Sequence, residues 1–212
     1  MKKFLVIASV FFSLSEIIAQ GFNGSIEFKY ATQKDTTTNM YYVKDKLVKL
    51  DQYAKKGTGI EGSFLFDLNA GEIKFLNPKR KIWGKQKSET PQVIKGKCEV
   101  RKGSATKKIA GIKCTEYTVK NVAENTIITY WIADNQFTFF SPLIKLWNRK
   151  DKQSIYFGQI PNLPAGSMPL LSEEKTLSDG KLLTKLEATK IDNKAPDATT
   201  FDIPAGYTKF DQ

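Results

Sequence analysis

The chain has 212 residues and carries 33 lysines and arginines against 22 acids, a formal charge of +11, with no histidine. The commonest general base and zinc ligand is therefore missing, and a serine–histidine or cysteine–histidine couple is impossible. Arg80, Arg101 and Arg149 are its only arginines, so few planar forks exist to read phosphates and bases. The lysine-dominated charge argues against a nucleic-acid partner and reads first as a solubilising surface.

In chain order, Met1-Lys2-Lys3 precedes an apolar run from Phe4 to Leu14, and Ala19 follows shortly after. A short basic region, a short apolar core and a small residue predict a cleavable secretory signal over residues 1–19. The run is shorter than the roughly 20 apolar residues that a membrane span needs. The expectation is an exported, soluble protein of the periplasm, or secreted, with residues 20–212 forming one domain. No cysteine stands near the cut to accept a lipid.

Phe22, Ile26, Phe28 and Tyr30 alternate with Asn23, Ser25, Glu27 and Lys29, which predicts a strand with one dry and one wet face. Residues 40–50 read as a hairpin turning at Lys44-Asp45-Lys46, and the glycine- and lysine-bearing stretch 53–62 reads as a loop. Phe64, Phe66 and Leu68 enter a second hairpin that turns at Asn69-Ala70-Gly71 and returns through Ile73 and Phe75. Lys81 to Gly84 continues the sheet, and residues 85–97, with Pro91, form a loop or an edge.

Alternation resumes from Glu99 to Lys120. Asn121 to Asn125 turns, and Thr126 to Ala133 pairs back. Ser141-Pro142 has the form of an N-cap and first-turn proline, which predicts a helix over about 142–150. Residues 158–169 are irregular. Asp179-Gly180 marks a last hairpin between Leu170–Leu177 and Leu182–Ile191, and a linker over 192–199 leads to Thr200–Tyr207. Hairpins joined in sequence predict one large curved antiparallel sheet.

Two cysteines, Cys98 and Cys114, bracket 15 residues. Export permits a disulfide, worth about 3 kcal/mol for such a loop. Pairing is expected, with two buried free thiols as the alternative. No metal site and no cofactor is expected: no phosphate-binding glycine loop opens a helix, and acids such as Asp134 and the Glu173-Glu174 pair read as solvated charge. No catalytic residue is assigned.

The informative surplus is apolar. A helix of nine residues is only about 13 Å long, too short to cover a sheet of some ten strands. Either the sheet folds on itself and the aromatics are core, or it curls and leaves a groove. The candidate groove residues are Phe64, Phe66, Phe75, Trp83, Tyr130, Phe139, Phe140, Leu143, Ile144 and Trp147.

Four segments carry a resemblance: Phe22-x-Gly24-x-Ile26-x-Phe28, Lys108 to Tyr117, Tyr130-Trp131-Ile132, and Phe201-Asp202-Ile203-Pro204-Ala205-Gly206-Tyr207. In their order and spacing, over about residues 22–207, the chain resembles an exported Gram-negative family of unknown function. That family is itself similar to the LolA-like periplasmic lipoprotein carriers. The resemblance implies a mainly β half-barrel with one or two short helices covering its open side and an apolar interior, which in the carriers holds acyl chains. The functional expectation is a non-enzymatic exported binder of a lipid, acyl chain or lipidated protein, touching membranes at most peripherally. The alternative is an envelope protein–protein interaction module with a closed dry core.

Overall fold

The computed structural model describes residues 21–54, 59–88, 90 and 92–210. The leader expected over 1–19 and positions 55–58 of the expected loop lie outside the described residues. Twelve strands make one sheet. They are β1 (Gly24–Thr32), β2 (Thr36–Lys44), β3 (Leu47–Tyr53), β4 (Ile60–Asp67), β5 (Glu72–Asn77), β6 (Ile82–Gln86), β7 (Glu99–Ile109), β8 (Ile112–Asn121), β9 (Thr126–Ala133), β10 (Met168–Thr176), β11 (Leu182–Asp192) and β12 (Thr208–Lys209). Their order across the sheet is β12-β6-β5-β4-β3-β2-β1-β11-β10-β9-β8-β7. Every pairing is antiparallel except β12 on β6. The sheet curves without closing, so the fold is the expected half-barrel.

Alternation in the sequence becomes the two faces of the sheet. Register sets a continuous row on the inner face: Ile26 opposite Tyr41, then Leu50, Phe64, Phe75 and Gly84. Gly84 is needed there, because a Cβ would stand 2.6 Å from the Phe75 ring. The curvature is helped by register shifts at Glu27/Phe28, Gln52/Tyr53, Pro169/Leu171 and Glu174/Lys175, since each extra residue bends its strand. The free edge β7 presents exposed Arg101, Lys102, Lys107 and Lys108, a charge pattern that discourages pairing with another chain.

Two helices lie over the inner face: α1 (Phe140–Trp147) and α2 (Lys152–Phe157). The first begins two residues before the expected start, and Ser141 is not its cap. Phe139 holds the cap position without a side-chain bond. A turn closed by Phe140 N–H on the Phe137 carbonyl leads directly into the helix, and Pro142 sits in the first turn, where no N–H is required. Asn148, at φ 52°, ends α1 in the left-handed conformation. Asp151 then caps α2, accepting from the Ser154 N–H at 2.9 Å.

Each helix tops its own apolar cluster. Leu143 and Trp147 of α1 belong with Phe28, Val48, Leu50 and Phe66. Tyr156 and Phe157 of α2 belong with Tyr117, Val119, Ile128 and Tyr130. Phe140 packs against both.

The expected disulfide is corrected by the structure: both cysteines are free thiols. Cys114 stands opposite Lys107 on β8, while Cys98 lies 3.7 Å from the Asn121 side-chain nitrogen at the far end of that strand. Seven residues of strand put the two roughly 23 Å apart, where a disulfide needs Cα atoms within about 7 Å.

Candidate functional site

Between the helices and the inner face lies a cavity of about 230 Å³. It falls at the seam of the two apolar clusters. Phe28, Leu50, Leu143 and Trp147 come from one side, Tyr130, Phe157 and Ile144 from the other, and Phe140 from both. The physical cause is the break at residues 148–151. Two short helices joined by a left-handed Asn148 and an extended Asp151 cannot pack as one continuous lid.

On α1, Phe140, Leu143, Ile144 and Trp147 recur at helical spacing and face the sheet. The Trp147 ring rests on Phe66 at 4.9 Å and Phe64 at 5.3 Å, centroid to centroid. On α2, Phe157 meets Tyr130 at 5.9 Å and Phe140 at 5.4 Å.

Polar bonds fix α2 to the sheet. Tyr130 O–H donates to the Gln153 carbonyl at 2.7 Å. Ser172 O–H donates to Gln153 Oε1 at 2.6 Å, and Gln153 Nε2 donates to Thr184 Oγ1 at 2.7 Å. Thr184 O–H in turn donates to Glu174 at 2.9 Å. At the outer end of α2, Tyr156 O–H donates to Glu124 at 2.6 Å, and Lys152 stands 3.6 Å from that carboxylate. The Glu124 carboxyl is held below the usual carboxylate range, first by the Tyr156 hydroxyl and then by the Lys95 N–H.

The wall formed by β1, β2 and β3 changes character along its length. Thr37 stands opposite Tyr30, Asn39 opposite both Phe28 and Gln52, and Tyr41 opposite Leu50. All of these line the cavity. Towards the β1–β2 turn the lining is polar and uncharged; deeper in, it is apolar. Tyr41 meets Phe28 edge-on at 5.7 Å, and burial pushes its hydroxyl up to about 12. Arg149 and Asp151 are the charged side chains among the lining residues. Arg149 lies 4.6 Å over the Trp147 ring, and its Nε is 3.1 Å from Asp151.

Of the ten groove residues read from sequence, Tyr130, Phe140, Leu143, Ile144 and Trp147 line the cavity together. Phe64 and Phe66 stand behind it, supporting Trp147. Phe139 is buried beside Phe22 and Phe137. Phe75 is on the inner face but against Gly84, away from the lining. Trp83 is placed on the outer face, because it pairs with Leu76 while Phe75 pairs with Gly84. Sequence reasoning missed Phe28, Tyr41, Leu50, Phe157, Pro169 and Leu186, and all the polar members. The alternation Thr37-x-Asn39-x-Tyr41 was the available signal for three of them.

Among the described residues, no group of three or more His, Cys, Asp and Glu side chains is placed to hold a metal ion. Among them too, no helix is long and apolar enough to cross a membrane.

Fold and site define a β half-barrel whose inner face is roofed by two short helices over an internal cavity. The chain belongs to the family described as a domain of unknown function, DUF4412, whose model matches residues 22–207. That agrees with the resemblance drawn from the four sequence segments.

No curated protein sequence matches the chain. Among solved structures, the MucA/MucB complex of Pseudomonas aeruginosa aligns at 13% identity and a TM-score of 0.49, covering 89% of this chain and 57% of that one. PNGF-II aligns at 13% identity and 0.46, over 89% of this chain and 30% of that one. A LolA superfamily protein from Nitrosomonas europaea aligns at 9% identity and 0.35, over 87% and 91%. The chain thus spans little more than half of the MucB chain and under a third of PNGF-II. At these identities and scores, none of the three bears on what this chain binds.

Proposed function

We propose that the protein is a non-enzymatic binding protein of the cell envelope that shelters the apolar chain of a lipid or lipidated protein in its internal cavity. The observation that carries the reading is the cavity itself: about 230 Å³ bounded by Phe28, Tyr41, Leu50, Tyr130, Leu143 and Trp147. Counting about 30 Å³ for a group the size of a water molecule, the space takes roughly eight methylenes. At about 0.8 kcal/mol for each one buried, the gain is near 6 kcal/mol, a Kd of roughly tens of micromolar. That suits a carrier that must release its guest. Export through the leader at residues 1–19, and residues 20–212 working as one domain, belong to this proposal.

The test uses protein purified without detergent. Native mass spectrometry should reveal co-purified lipid. The neutral probe N-phenyl-1-naphthylamine should brighten on binding and be displaced by alkyl chains. Trp147→Asp should abolish uptake. Ile144→Glu, on the half-exposed side of α1, should do the same with the circular dichroism spectrum retained. A protein that carries no lipid and takes up no probe is not a carrier, and the interaction-module reading would then replace this one.

A further inference from the structure

We propose that the guest is a single medium-length alkyl chain ending in an uncharged, hydrogen-bonding head, as in a monoacylglycerol, and not a fatty acid. The inference rests on the cavity reading above and specifies its ligand. Three observations converge on it.

The first is the direction of the polarity change. Reading inward from the β1–β2 turn, the register gives a row of Tyr30 and Thr37, then Phe28, Asn39 and Gln52, then Tyr41 and Leu50. Hydroxyl and amide groups come first and apolar groups after. A guest lying along the strands would put its tail under α1 and its head beside Thr37, Asn39 and Gln52. These side chains both donate and accept, which matches alcohols, esters and amides.

The second is charge. Arg149 could hold a carboxylate, but its Nε is already engaged by Asp151 at 3.1 Å. Asp151 is fixed there by the Ser154 N–H at 2.9 Å and the Ser154 hydroxyl at 3.0 Å. The pair stands at the solvent-facing rim, with Arg149 42% and Asp151 32% exposed, so an incoming anion meets a cation whose charge is already balanced, whereas an uncharged head keeps the hydrogen bonds of the polar wall without needing a counter-ion. The Tyr30 hydroxyl reports the same field. Burial raises its pKa, Asp151 and Glu174 raise it further, and Arg149 offsets them as a smaller influence.

The third is size. About 230 Å³ matches one chain of roughly eight methylenes at about 30 Å³ each.

Isothermal titration of the mature chain with 1-decanoylglycerol, decanoate and decyltrimethylammonium, each below its micelle concentration at pH 8, tests the proposal. Decanoylglycerol should bind at least about tenfold more tightly than either ion. Asp151→Asn retains a good capping residue and frees Arg149. It should raise the affinity for decanoate about tenfold relative to that for decanoylglycerol. Decanoate or the cation binding as tightly as the glyceride overturns the proposal, and so does an unchanged ratio of the two affinities in Asp151→Asn. Uptake of N-phenyl-1-naphthylamine with none of the three alkyl ligands bound also overturns it, while the carrier reading stands. Failure of the neutral probe as well brings down both.

Discussion

At the scale of single residues, two positions tie the sequence to measurable consequences. Ala110 and Gly111 join β7 to β8 with φ of 46° and 84°. Both residues of such a hairpin turn take positive φ, where asparagine followed by glycine is preferred and alanine is strained. Ala110→Asn should therefore raise stability by about 1 kcal/mol, read as a higher urea midpoint at constant slope. An unchanged or lowered midpoint would contradict the strain. Cys114 is fully buried, and its thiol is pushed up to about 11, chiefly by burial. It should react with a thiol reagent only after unfolding, whereas Cys98 is half-buried and should react in the native state. Denatured but unreduced protein should show two thiols. A count of zero would mean the disulfide forms after all, with β8 rearranged.

At the scale of elements, the strands were legible because alternation is a local property. Phe22 to Tyr30 and Thr126 to Ala133 show it plainly, and both became half-buried strands. The β7–β8 turn was not read, because Ala110 is no turn signal even though Gly111 is. The start of β2 at Thr36 was hidden in a run of threonines with no apolar alternation. Helix α2 has six residues, too few to display a periodicity. Three of the candidates that line the cavity, Leu143, Ile144 and Trp147, were legible for the same reason that α1 was found: they sit at helical spacing. Trp83 failed because alternation separates two faces of a strand without saying which one is concave; only pairing with Leu76 decides that.

The anchoring of α2 gives a pH dependence. Glu124 has a folded-state pKa lowered from 4.5, so its bonds to Tyr156 and Lys95 contribute fully above that value and are lost as pH falls through the lower, folded one. Glu124→Gln should flatten the acid limb of stability as pH falls below about 4.5, measured as urea midpoints. Tyr156→Phe should flatten it too, and identical acid slopes in all three proteins would show that the bond carries no such linkage.

At the scale of the whole molecule, an open sheet has two edges to protect, and the chain treats them differently. The β7 edge carries its own lysines. The β6 edge is covered from a distance: after β11 the chain passes β1 to β5 before reaching β6. That is six strand spacings, roughly 29 Å at about 4.8 Å each. A 3₁₀ turn, Ala198–Phe201, lies partway along, with Phe201 in a shallow depression shared with Leu47, Leu65 and Lys74. β12 then runs parallel to β6, with Thr208 N–H on the Lys81 carbonyl at 2.9 Å and Phe210 N–H on the Trp83 carbonyl at 2.7 Å. Nothing local in the sequence announces this crossing, because a parallel pairing of two residues leaves no periodic mark.

Its loss should nonetheless be conspicuous. Ending the chain after Asp202 strips the backbone partners from Lys81 and Trp83 and leaves Trp83 and Leu76 on the outer face beside a bare edge. Lys85, the one charged residue of β6, is paired with Glu72 at 2.5 Å, so the unpaired edge is left to recruit another strand and the truncated protein should become a concentration-dependent dimer or larger species by light scattering. Amide exchange should quicken in β5 and β6, while β9 and β10, on the other half of the sheet, keep their protection. The cavity draws its walls from β1–β3, β9–β11 and the helices, so probe uptake should survive. A truncated chain that stays monomeric with β6 still protected would mean the edge is guarded by β6 itself rather than by the strap.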